Sequence, residues 1–334
     1  MKMKKIISFT LTITMLLACV FVALPAQKTE AETPLVLTMP TNDGKTDKTS
    51  YVIGQGTEDQ VTVTANFIPT SYAHRPKPNV SQTMEYIVVH NTDNWNSSAG
   101  AKAHNNYLTG NSNLSCSYAY VVGSDGIWQN LPDLEYSWHT GGNTMGTNVS
   151  HPNALGIETC DAGAPLGSNG LPAWNTQTLY NWYENTFSQR VGYLAMLVAT
   201  LCMRYDFNPY TQVVQHYDVY GKECPREMRH VFGTTATTGS KTDGTYYKIF
   251  WDKMIKYYKA YGGRYTGYAT GKYVITVLNT PIYSSPSRSA SVLTKIPKTS
   301  YNSVYSVNVT EVSGDFGKVT YNGTTGWIYL QCGV

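Results

Sequence analysis

The chain has 334 residues, of which 42% are hydrophobic and 14% charged, and its formal net charge is +3. Four Lys and one Glu fall within the first 31 residues, so the positive charge belongs to this segment and the remainder is close to neutral. Because residues 32–334 are nearly neutral, they lack the strongly basic character of nucleic-acid-binding proteins. We therefore expect no nucleic-acid partner. Its roughly 300 residues are enough for two domains.

The first segment of the chain is typical of a secretory signal peptide. Three Lys among the first five residues precede an apolar run over residues 6–24, and small residues that suit cleavage follow this run. We therefore predict a signal peptide over residues 1–31, a secreted or cell-wall location, and no stable membrane insertion after cleavage. Two alternatives stay open: a membrane anchor, since the apolar run is about long enough to span a bilayer, and lipid attachment at Cys19.

The next segment, residues 32–79, is rich in Thr, Asn, Asp, Gly and Pro. An alternating run over residues 61–67 predicts one strand. The sequence Arg-Pro-Lys-Pro at 75–78 breaks regular structure just before the pattern changes. We interpret residues 32–79 as a partly irregular N-terminal arm.

From residue 80 onward the pattern predicts strands that alternate with helices. The apolar run over residues 86–89 is typical of a strand buried on both faces, and the longest helical pattern covers residues 177–205. The other candidates are strands over 117–122, 126–130, 154–159 and 213–216 and helices over 98–108 and 246–261. We therefore predict an α/β domain over residues 80–262, with a mixed central β-sheet flanked by helices.

The C-terminal part of the chain predicts a second, all-β domain. Residues 263–271 are rich in Gly, Tyr and Thr and are interpreted as a linker. Short candidate strands then alternate with turns, and Asn322-Gly323 is a strong hairpin signal. The candidate strands cover 273–278, 291–295, 304–309, 317–321 and 326–330. Five short strands in about sixty residues predict a small barrel over residues 272–334.

Five cysteines follow residue 31, and an odd number in a secreted chain leaves one of them unpaired. Cys202 lies in an apolar helical run that is typical of a buried thiol. If Cys224 binds a metal as a thiolate, the other four cysteines pair or stay free. The sequence leaves the pairing open.

Two histidines and one cysteine stand at positions that suit a metal site. His90 directly follows the apolar run over 86–89, His216 follows another short apolar run, and Cys224 comes eight residues later, after a loop that contains Gly. Two imidazoles and one thiolate are a set that zinc favours, and three protein ligands leave a fourth position for water. The pattern therefore predicts a hydrolytic zinc site with one catalytic Zn²⁺.

Four separated sequence blocks resemble type-2 N-acetylmuramoyl-L-alanine amidases, the zinc enzymes related to phage lysozyme-type amidases and to animal peptidoglycan recognition proteins. The resemblance covers about residues 80–262. The blocks are Val-Val-His-Asn-Thr at 88–92, Trp-His-Thr-Gly at 138–141, Leu-Gly-Ile-Glu at 155–158, and His216 followed by Gly-Lys-Glu-Cys-Pro at 221–225.

This resemblance implies a mixed sheet with zinc at one edge and peptidoglycan as the substrate. The bond cleaved would be the amide between the lactyl group of muramic acid and L-alanine of the stem peptide. Carried over residue by residue, His90, His216 and Cys224 would be the zinc ligands. Zinc would lower the pKa of a bound water to about 7 and would polarise the amide carbonyl.

Two charged residues are the candidates for proton transfer and charge stabilisation. Glu158 ends an apolar strand, and we predict that it serves as general base and then general acid, taking a proton from the zinc-bound water and returning it to the leaving nitrogen. The resemblance implies that Lys222 stabilises the negative oxygen of the tetrahedral intermediate. The alternatives are a surface Glu on an edge strand and a solvated loop lysine.

Further site residues follow from the same resemblance. Tyr118 matches a tyrosine near the zinc-bound water, but Ala119 stands where relatives have a histidine, so the groups that support the site are expected to differ here. His139, Thr92 and Asn94 are interpreted as substrate-binding residues that contact the substrate or line its cleft. For His139, a role in supporting the metal ligands is an equal alternative.

The C-terminal residues 270–332 resemble a bacterial SH3-like domain, through the patterns at 277–286 and 317–328. The resemblance implies attachment to the cell wall. Residues 241–334 hold eleven Lys/Arg and four Asp/Glu, whereas residues 32–240 hold ten and seventeen. This asymmetry suggests anionic wall polymers as partners of the C-terminal part, and a solvated basic helix with a linker is the alternative.

Three functions compete on these observations. The first is a secreted zinc amidase that cleaves peptidoglycan. The second is a non-catalytic recognition module on the same fold, and such relatives lose a metal ligand, whereas all three candidate ligands are present here. The third is a glycosidase, which needs two carboxylates that face one bond, and the sequence offers no such pair.

Overall fold

The structure, a computed structural model, describes residues 34–142, 148–173, 176–229, 245–264, 267–275, 279–297 and 306–330. The predicted signal peptide lies outside these ranges. Within them, no helix combines the length and the apolar character that a membrane crossing requires.

Seven strands form one sheet, and its mixed character agrees with the prediction for residues 80–262. The strands are β1 (Ser50–Ile53), β2 (Val61–Ala65), β3 (Tyr86–Asn91), β4 (Tyr120–Gly123), β5 (Gly126–Gln129), β6 (Ala154–Thr159) and β7 (Val213–Gln215). Their order across the sheet is β1-β2-β5-β4-β6-β3-β7. Strands β4, β6, β3 and β7 run parallel, while β4 and β5 form the predicted antiparallel hairpin.

The segment interpreted as an N-terminal arm is part of this sheet. Strand β1 pairs with β2, and β2 pairs in parallel with β5, so residues 50–65 extend the sheet by two strands. Arg75 forms a buried ion pair with Glu135 at 2.7 Å, which ties the end of the segment to the loop after β5. The sequence predicted only β2, because β1 lies at the edge of the sheet and its residues are mostly half-buried or exposed.

The three predicted helical patterns, over 98–108, 177–205 and 246–261, correspond to helices close to those positions, and three short helices were not predicted. The helices are α1 (Ala101–Gly110), α2 (Gln177–Trp182), α3 (Ser188–Tyr205), α4 (Pro209–Gln212), α5 (His216–Tyr220), α6 (Arg226–Arg229) and α7 (Thr245–Ala260), and α4 to α6 are those that were not predicted. The long pattern over 177–205 is interrupted by a π-helical turn, Tyr183–Phe187, between α2 and α3. Helix α1 starts three residues later than predicted, where the Asp125 carboxylate accepts the first two backbone N–H groups.

The main core lies between one face of the sheet and helices α3 and α7. Ile87 and Val89 of β3 point into this core, whereas Val88 belongs to a smaller apolar cluster on the opposite face. Strand β3 is therefore buried on both faces, as its continuous apolar run predicted. Because side chains alternate along a strand, His90 lies on the face of Val88, away from the main core.

The C-terminal part is all-β in the ranges that the structure describes. Its strands are β8 (Gly271–Val274), β9 (Thr280–Tyr283), β10 (Val292–Ile296), β11 (Ser306–Val309), β12 (Glu311–Ser313), β13 (Phe316–Tyr321) and β14 (Thr324–Tyr329). Five form an antiparallel sheet of order β10-β9-β14-β13-β12, and β8 pairs with β11. The predicted hairpin at Asn322-Gly323 connects β13 and β14, with both turn residues at positive φ. That these strands form an SH3-like barrel stays a prediction.

Candidate metal centre and cleft

His90, His216 and Cys224 come together at the carboxyl-terminal edge of the parallel strands. His90 lies near the end of β3, and His216 begins α5 directly after β7, whose Gln215 pairs with Val89. One candidate ligand atom from each of the three side chains lies within 4.8 Å of the other two. Neighbouring strand ends thus bring together residues that are far apart in sequence.

Hydrogen bonds hold the Cys224 loop against α5 and β3. Helix α5 ends at Gly221, whose φ of +74° suits glycine, and this turn directs the chain back toward the site. The N–H of Tyr217 donates to the carbonyl of Cys224 at 2.9 Å. Asn91 binds the loop twice: its N–H donates to Cys224 Sγ at 3.4 Å, and its Oδ1 accepts the N–H of Arg226 at 2.6 Å.

The hydrogen bonds of the two imidazoles leave Nδ1 of each ring available as a metal ligand. His216 Nε2 lies 3.1 Å from the carbonyl of Thr140, so it carries the proton, and the buried Nδ1 has no hydrogen-bond partner among the described residues. His90 Nε2 lies 3.0 Å from His139 Nδ1, and His90 Nδ1 faces Cys224 Sγ at 3.8 Å. Two lone pairs and a thiol that converge in this way fit a zinc ion.

Burial determines the protonation states of the three side chains when no metal is bound. It lowers the pKa of His216 to about 4 and that of His90 well below its usual range, so both rings are neutral at pH 7. Burial and the charge of Glu158 raise the pKa of the Cys224 thiol well above its usual range. A metal would therefore displace the thiol proton, as thiolate coordination requires.

Glu158 lies beside His90 on the adjacent strand, because the two residues are register partners in β6 and β3. Its Oε2 is buried and has no hydrogen-bond partner among the described residues. Burial raises the pKa of the carboxyl to about 8, and the positive charge of Lys222 opposes this rise. A carboxyl in this state can exchange a proton near neutral pH.

A cleft of about 560 Å³ opens in front of Glu158. Four predicted site residues line it, namely Thr92, Asn94, Tyr118 and Glu158. The remaining lining residues are Asn96, Ser98, Ala99, Ala103, His104, Tyr107, Leu108 and Cys116. Its lining combines polar and apolar side chains, which suits a ligand with both amide and hydrocarbon parts.

Tyr118 and His104 form one wall of the cleft. The Tyr118 hydroxyl lies 3.3 Å from His104 Nδ1, and the second ring nitrogen of His104 is buried with no hydrogen-bond partner among the described residues. Burial and the Glu158 charge raise the pKa of Tyr118 well above its usual range, so the phenol stays protonated. Ala119 is buried in the main core, so its side chain lies on the other side of the chain from Tyr118.

His104, which is not among the predicted site residues, also lines the cleft. Ala103, His104, Tyr107 and Leu108 of α1 share one helical face toward the cleft. The helical spacing of these four residues is the sequence feature that could have identified this face of α1.

Lys222 lies at the mouth of the site with its side chain 48% exposed. Its Nζ is 3.8 Å from Asp93 Oδ2. The same positive charge opposes the rise in the pKa of Glu158 and contributes to the lowered pKa values of His90 and His216.

His139 lies behind His90, and the described residues that line the cleft do not include it. Its ring meets that of His90 edge to face at 5.2 Å, and its Nε2 lies 2.9 Å from the carbonyl of Ala154. Burial lowers its pKa to about 3. This position favours the supporting role over the predicted substrate contact.

A second cluster, which the sequence did not predict, lies at the same sheet edge. It consists of Asp93, Asp161 and Glu227, with one carboxylate oxygen of each within 4.8 Å of the others. Burial raises the pKa of Asp161 to about 7, and burial with the Asp161 charge raises that of Glu227 well above its usual range. Asp161 Oδ1 and Glu227 Oε2 are buried and have no hydrogen-bond partner among the described residues, and because the pKa of Glu227 is raised, we infer that Glu227 holds a proton.

The comparisons with known proteins agree with this geometry. Residues 80–227 match the model of a family described as N-acetylmuramoyl-L-alanine amidase. The chain is 32% identical to the N-acetylmuramoyl-L-alanine amidase CwlH of Bacillus subtilis (strain 168) over 168 residues, which are 50% of this chain and 57% of that protein. It is 29% identical to the amidase XlyA of the same strain over 204 residues, which are 60% and 59% of the two chains.

The chain therefore spans less than two thirds of the length of these curated relatives. Among solved structures, a mutant endolysin from Bacillus subtilis shares 29% identity at a TM-score of 0.39, over 50% of this chain and 92% of that one. The catalytic domain of XlyA shares 26% identity at a TM-score of 0.42, over 57% and 98%. Residues 80–227 thus match the N-acetylmuramoyl-L-alanine amidase family model, and the curated relatives that align with this part of the chain are amidases of that name.

Proposed function

We propose that the protein is a secreted, zinc-dependent N-acetylmuramoyl-L-alanine amidase. Its substrate would be peptidoglycan, cut at the amide between the muramic acid lactyl group and L-alanine. The observation that carries this proposal is the convergence of His90 Nδ1, His216 Nδ1 and Cys224 Sγ beside a cleft that Glu158 lines. The relatives named above are amidases of this kind, which supports the same substrate.

His90, His216 and Cys224 would hold the zinc ion. When bound there, zinc would polarise the amide carbonyl and lower the pKa of a water molecule. The three ligands carry one negative charge in total, so the centre would stay positive enough for this chemistry.

Glu158 would take the proton from the attacking water and return it to the leaving nitrogen. The water oxygen forms a bond to the lactyl carbon, the C–N bond breaks, and the products are a lactyl carboxylate and the free amine of L-alanine. The raised pKa of Glu158 suits both steps, because a proton carrier works best when its pKa lies near the working pH. A cation at the centre and Lys222 would both lower this pKa and favour the basic form.

Lys222 and Tyr118 would stabilise the charge that develops on the carbonyl oxygen. The Lys222 ammonium is exposed and paired with Asp93 only at 3.8 Å, so it can turn toward a negative oxygen. The Tyr118 phenol stays protonated and can donate a hydrogen bond into the cleft. Thr92 and Asn94 would contact the stem peptide, since both line the cleft.

We also propose that the protein is secreted and attached to the cell wall. Secretion rests on the leader over residues 1–31, and wall attachment rests on the basic, all-β C-terminal part, which would bind anionic wall polymers. Lys318 and Arg288 lie over the rings of Trp327 and Tyr329, at 5.5 and 5.0 Å, so aromatic and basic groups adjoin on this surface.

Product analysis tests the reaction. Purified peptidoglycan is digested with the protein as purified, with a chelator, and with chelator followed by excess Zn²⁺, and the products are identified by mass spectrometry. We expect free stem peptides with an L-alanine amino terminus, none with chelator, and recovery with zinc. New reducing sugar ends would instead indicate a glycosidase, and undigested peptidoglycan with zinc bound would indicate a recognition module.

A further inference from the structure

The segment Trp138–Gly141 contacts both candidate histidine ligands from the side opposite the cleft. His139 bonds to His90, and the carbonyl of the next residue, Thr140, bonds to His216. The segment itself is held by His151, whose Nδ1 accepts the N–H of His139 at 3.0 Å and the N–H of Thr140 at 3.1 Å. One short segment thus orients two rings that come from different strands.

The bonds of His139 determine which nitrogen of His90 carries the proton. The Ala154 carbonyl is only an acceptor, so His139 Nε2 must be the protonated nitrogen that donates to it. His139 Nδ1 is then an acceptor, and His90 Nε2 must donate to it across 3.0 Å. His90 Nδ1 is left with its lone pair on the side of Cys224.

Gly156 leaves space for the His139 ring because it has no side chain. A Cβ at this position would lie 2.5 Å from His139 Cγ and 2.7 Å from its Nδ1, which is closer than any real contact. Gly156 pairs with Val88 in the centre of the sheet, so the backbone there has no freedom to move aside. A glycine in mid-strand is otherwise unfavourable, and here it admits the His139 ring.

We propose that His139 is a positioning residue, which holds His90 in the orientation and tautomer that bind zinc through Nδ1. This inference rests on the proposed function, and it replaces the substrate contact that the sequence suggested. Groups behind a metal-binding histidine commonly set its tautomer and raise its affinity for the metal.

The test measures zinc affinity, with no substrate present, by competition with a chromophoric chelator at pH 7.5. We expect His139→Ala to weaken zinc binding about 10- to 100-fold. His139→Asn should recover part of this loss, because its amide oxygen can accept the proton of His90 Nε2. Gly156→Ala leaves His139 in place but displaces its ring, and it should also weaken zinc binding.

A second buried histidine supplies the matched control. His74 is fully buried, and its Nε2 lies 3.0 Å from the carbonyl of Leu108, a bond of the same kind as that between His139 and Ala154. His74→Ala should lower the melting temperature and leave the zinc affinity of the folded protein unchanged. Circular dichroism verifies that each variant is folded before the titration.

The outcomes separate this inference from the proposed function. Zinc binding by folded His139→Ala and Gly156→Ala that equals the wild type would overturn the positioning role and leave the amidase proposal intact. An equal loss of zinc affinity in His74→Ala would overturn it as well, since the effect would then reflect stability. Failure of the wild-type protein to bind zinc would overturn both, whereas zinc binding without peptidoglycan cleavage would overturn only the amidase proposal.

Discussion

Two groups of metal-type side chains lie at the same sheet edge, and they differ in how their polar atoms are satisfied. In the cluster of His90, His216 and Cys224, the outward nitrogens are bonded to His139 and Thr140, and the inward lone pairs face one another. In the cluster of Asp93, Asp161 and Glu227, Asp93 lies 3.8 Å from Lys222 and 3.4 Å from Arg226, and the raised pKa of Glu227 favours its protonated form.

The difference shows that proximity of ligand atoms alone does not make a metal site. Two neutral imidazoles repel no cation, and the thiol can lose its proton to a metal. In the carboxylate cluster, the raised pKa of Glu227 favours its neutral form, which reduces the negative charge. Asp161 and Glu227 accept hydrogen bonds from Asn91 and Trp95, so the cluster serves to hold the loops around the centre. We therefore expect substitutions in the cluster of His90, His216 and Cys224 to affect metal binding, and substitutions in the carboxylate cluster to leave it unchanged.

The largest effect is expected for removal of the thiol. Cys224→Ala should bind no zinc after dialysis and should cleave peptidoglycan no faster than the chelator-treated wild type, because two imidazoles alone hold zinc weakly. Metal analysis and release of stem peptides measure the two properties. Cys202→Ala, at a buried thiol in α3, is the matched control and should retain both; cleavage by Cys224→Ala at the wild-type rate would contradict the account.

Glu158→Gln should separate metal binding from catalysis. The amide is similar in size but cannot carry the proton, so kcat should fall by about 10²- to 10⁴-fold. Zinc content should stay at the wild-type level, since Glu158 is not in the ligand set. Loss of zinc together with activity would show that Glu158 belongs to the metal site instead.

Lys222→Ala should lower kcat by about 10²- to 10³-fold, the usual effect of removing one group that stabilises a developing oxyanion. KM should change little, because the charge matters most in the transition state. Steady-state kinetics on a soluble muropeptide give both parameters. Lys253→Ala, which removes a lysine paired with Asp59 far from the cleft, should leave kcat unchanged.

Zinc binding should release about one proton at pH 7, and the affinity should rise about tenfold per pH unit. The proton comes from Cys224, whose pKa is raised, whereas the two histidines are already neutral. Calorimetric titrations in buffers of different ionisation enthalpy count the protons. Release of no proton at pH 7 would mean that the thiol is not a ligand.

The smallest effect is expected in the carboxylate cluster. Asp161→Asn should retain zinc and activity, and it should be more stable than the wild type at pH 8 but not at pH 4. The native pKa of Asp161, about 7, exceeds its unfolded value of 3.8, so the native state binds more protons and its stability falls as the pH rises through this window. Each unit of pKa shift corresponds to about 1.4 kcal/mol, so the gain increases between pH 4 and pH 8.

Thermal unfolding at the two pH values measures this gain. Loss of zinc in Asp161→Asn would show instead that the carboxylate cluster contributes to metal binding.

The sequence predicted the parallel strands and the candidate ligands that follow them, because continuous apolar runs end directly at His90 and near His216. It did not predict β1, whose partly exposed residues carry no clear pattern. It also missed the carboxylate cluster, since Asp93, Asp161 and Glu227 share no motif and meet only through the strand order. The position of His139 behind His90 depends on the missing side chain at Gly156, and no local pattern reports such a contact.

Anomalous diffraction at the zinc absorption edge, on crystals of the zinc-loaded protein, shows directly whether His90, His216 and Cys224 bind the ion. We expect one strong peak about 2.0–2.1 Å from Nδ1 of His90 and of His216 and about 2.3 Å from Sγ of Cys224. A peak between Asp93, Asp161 and Glu227, or a peak bonded to Nε2 of either histidine, would contradict the account.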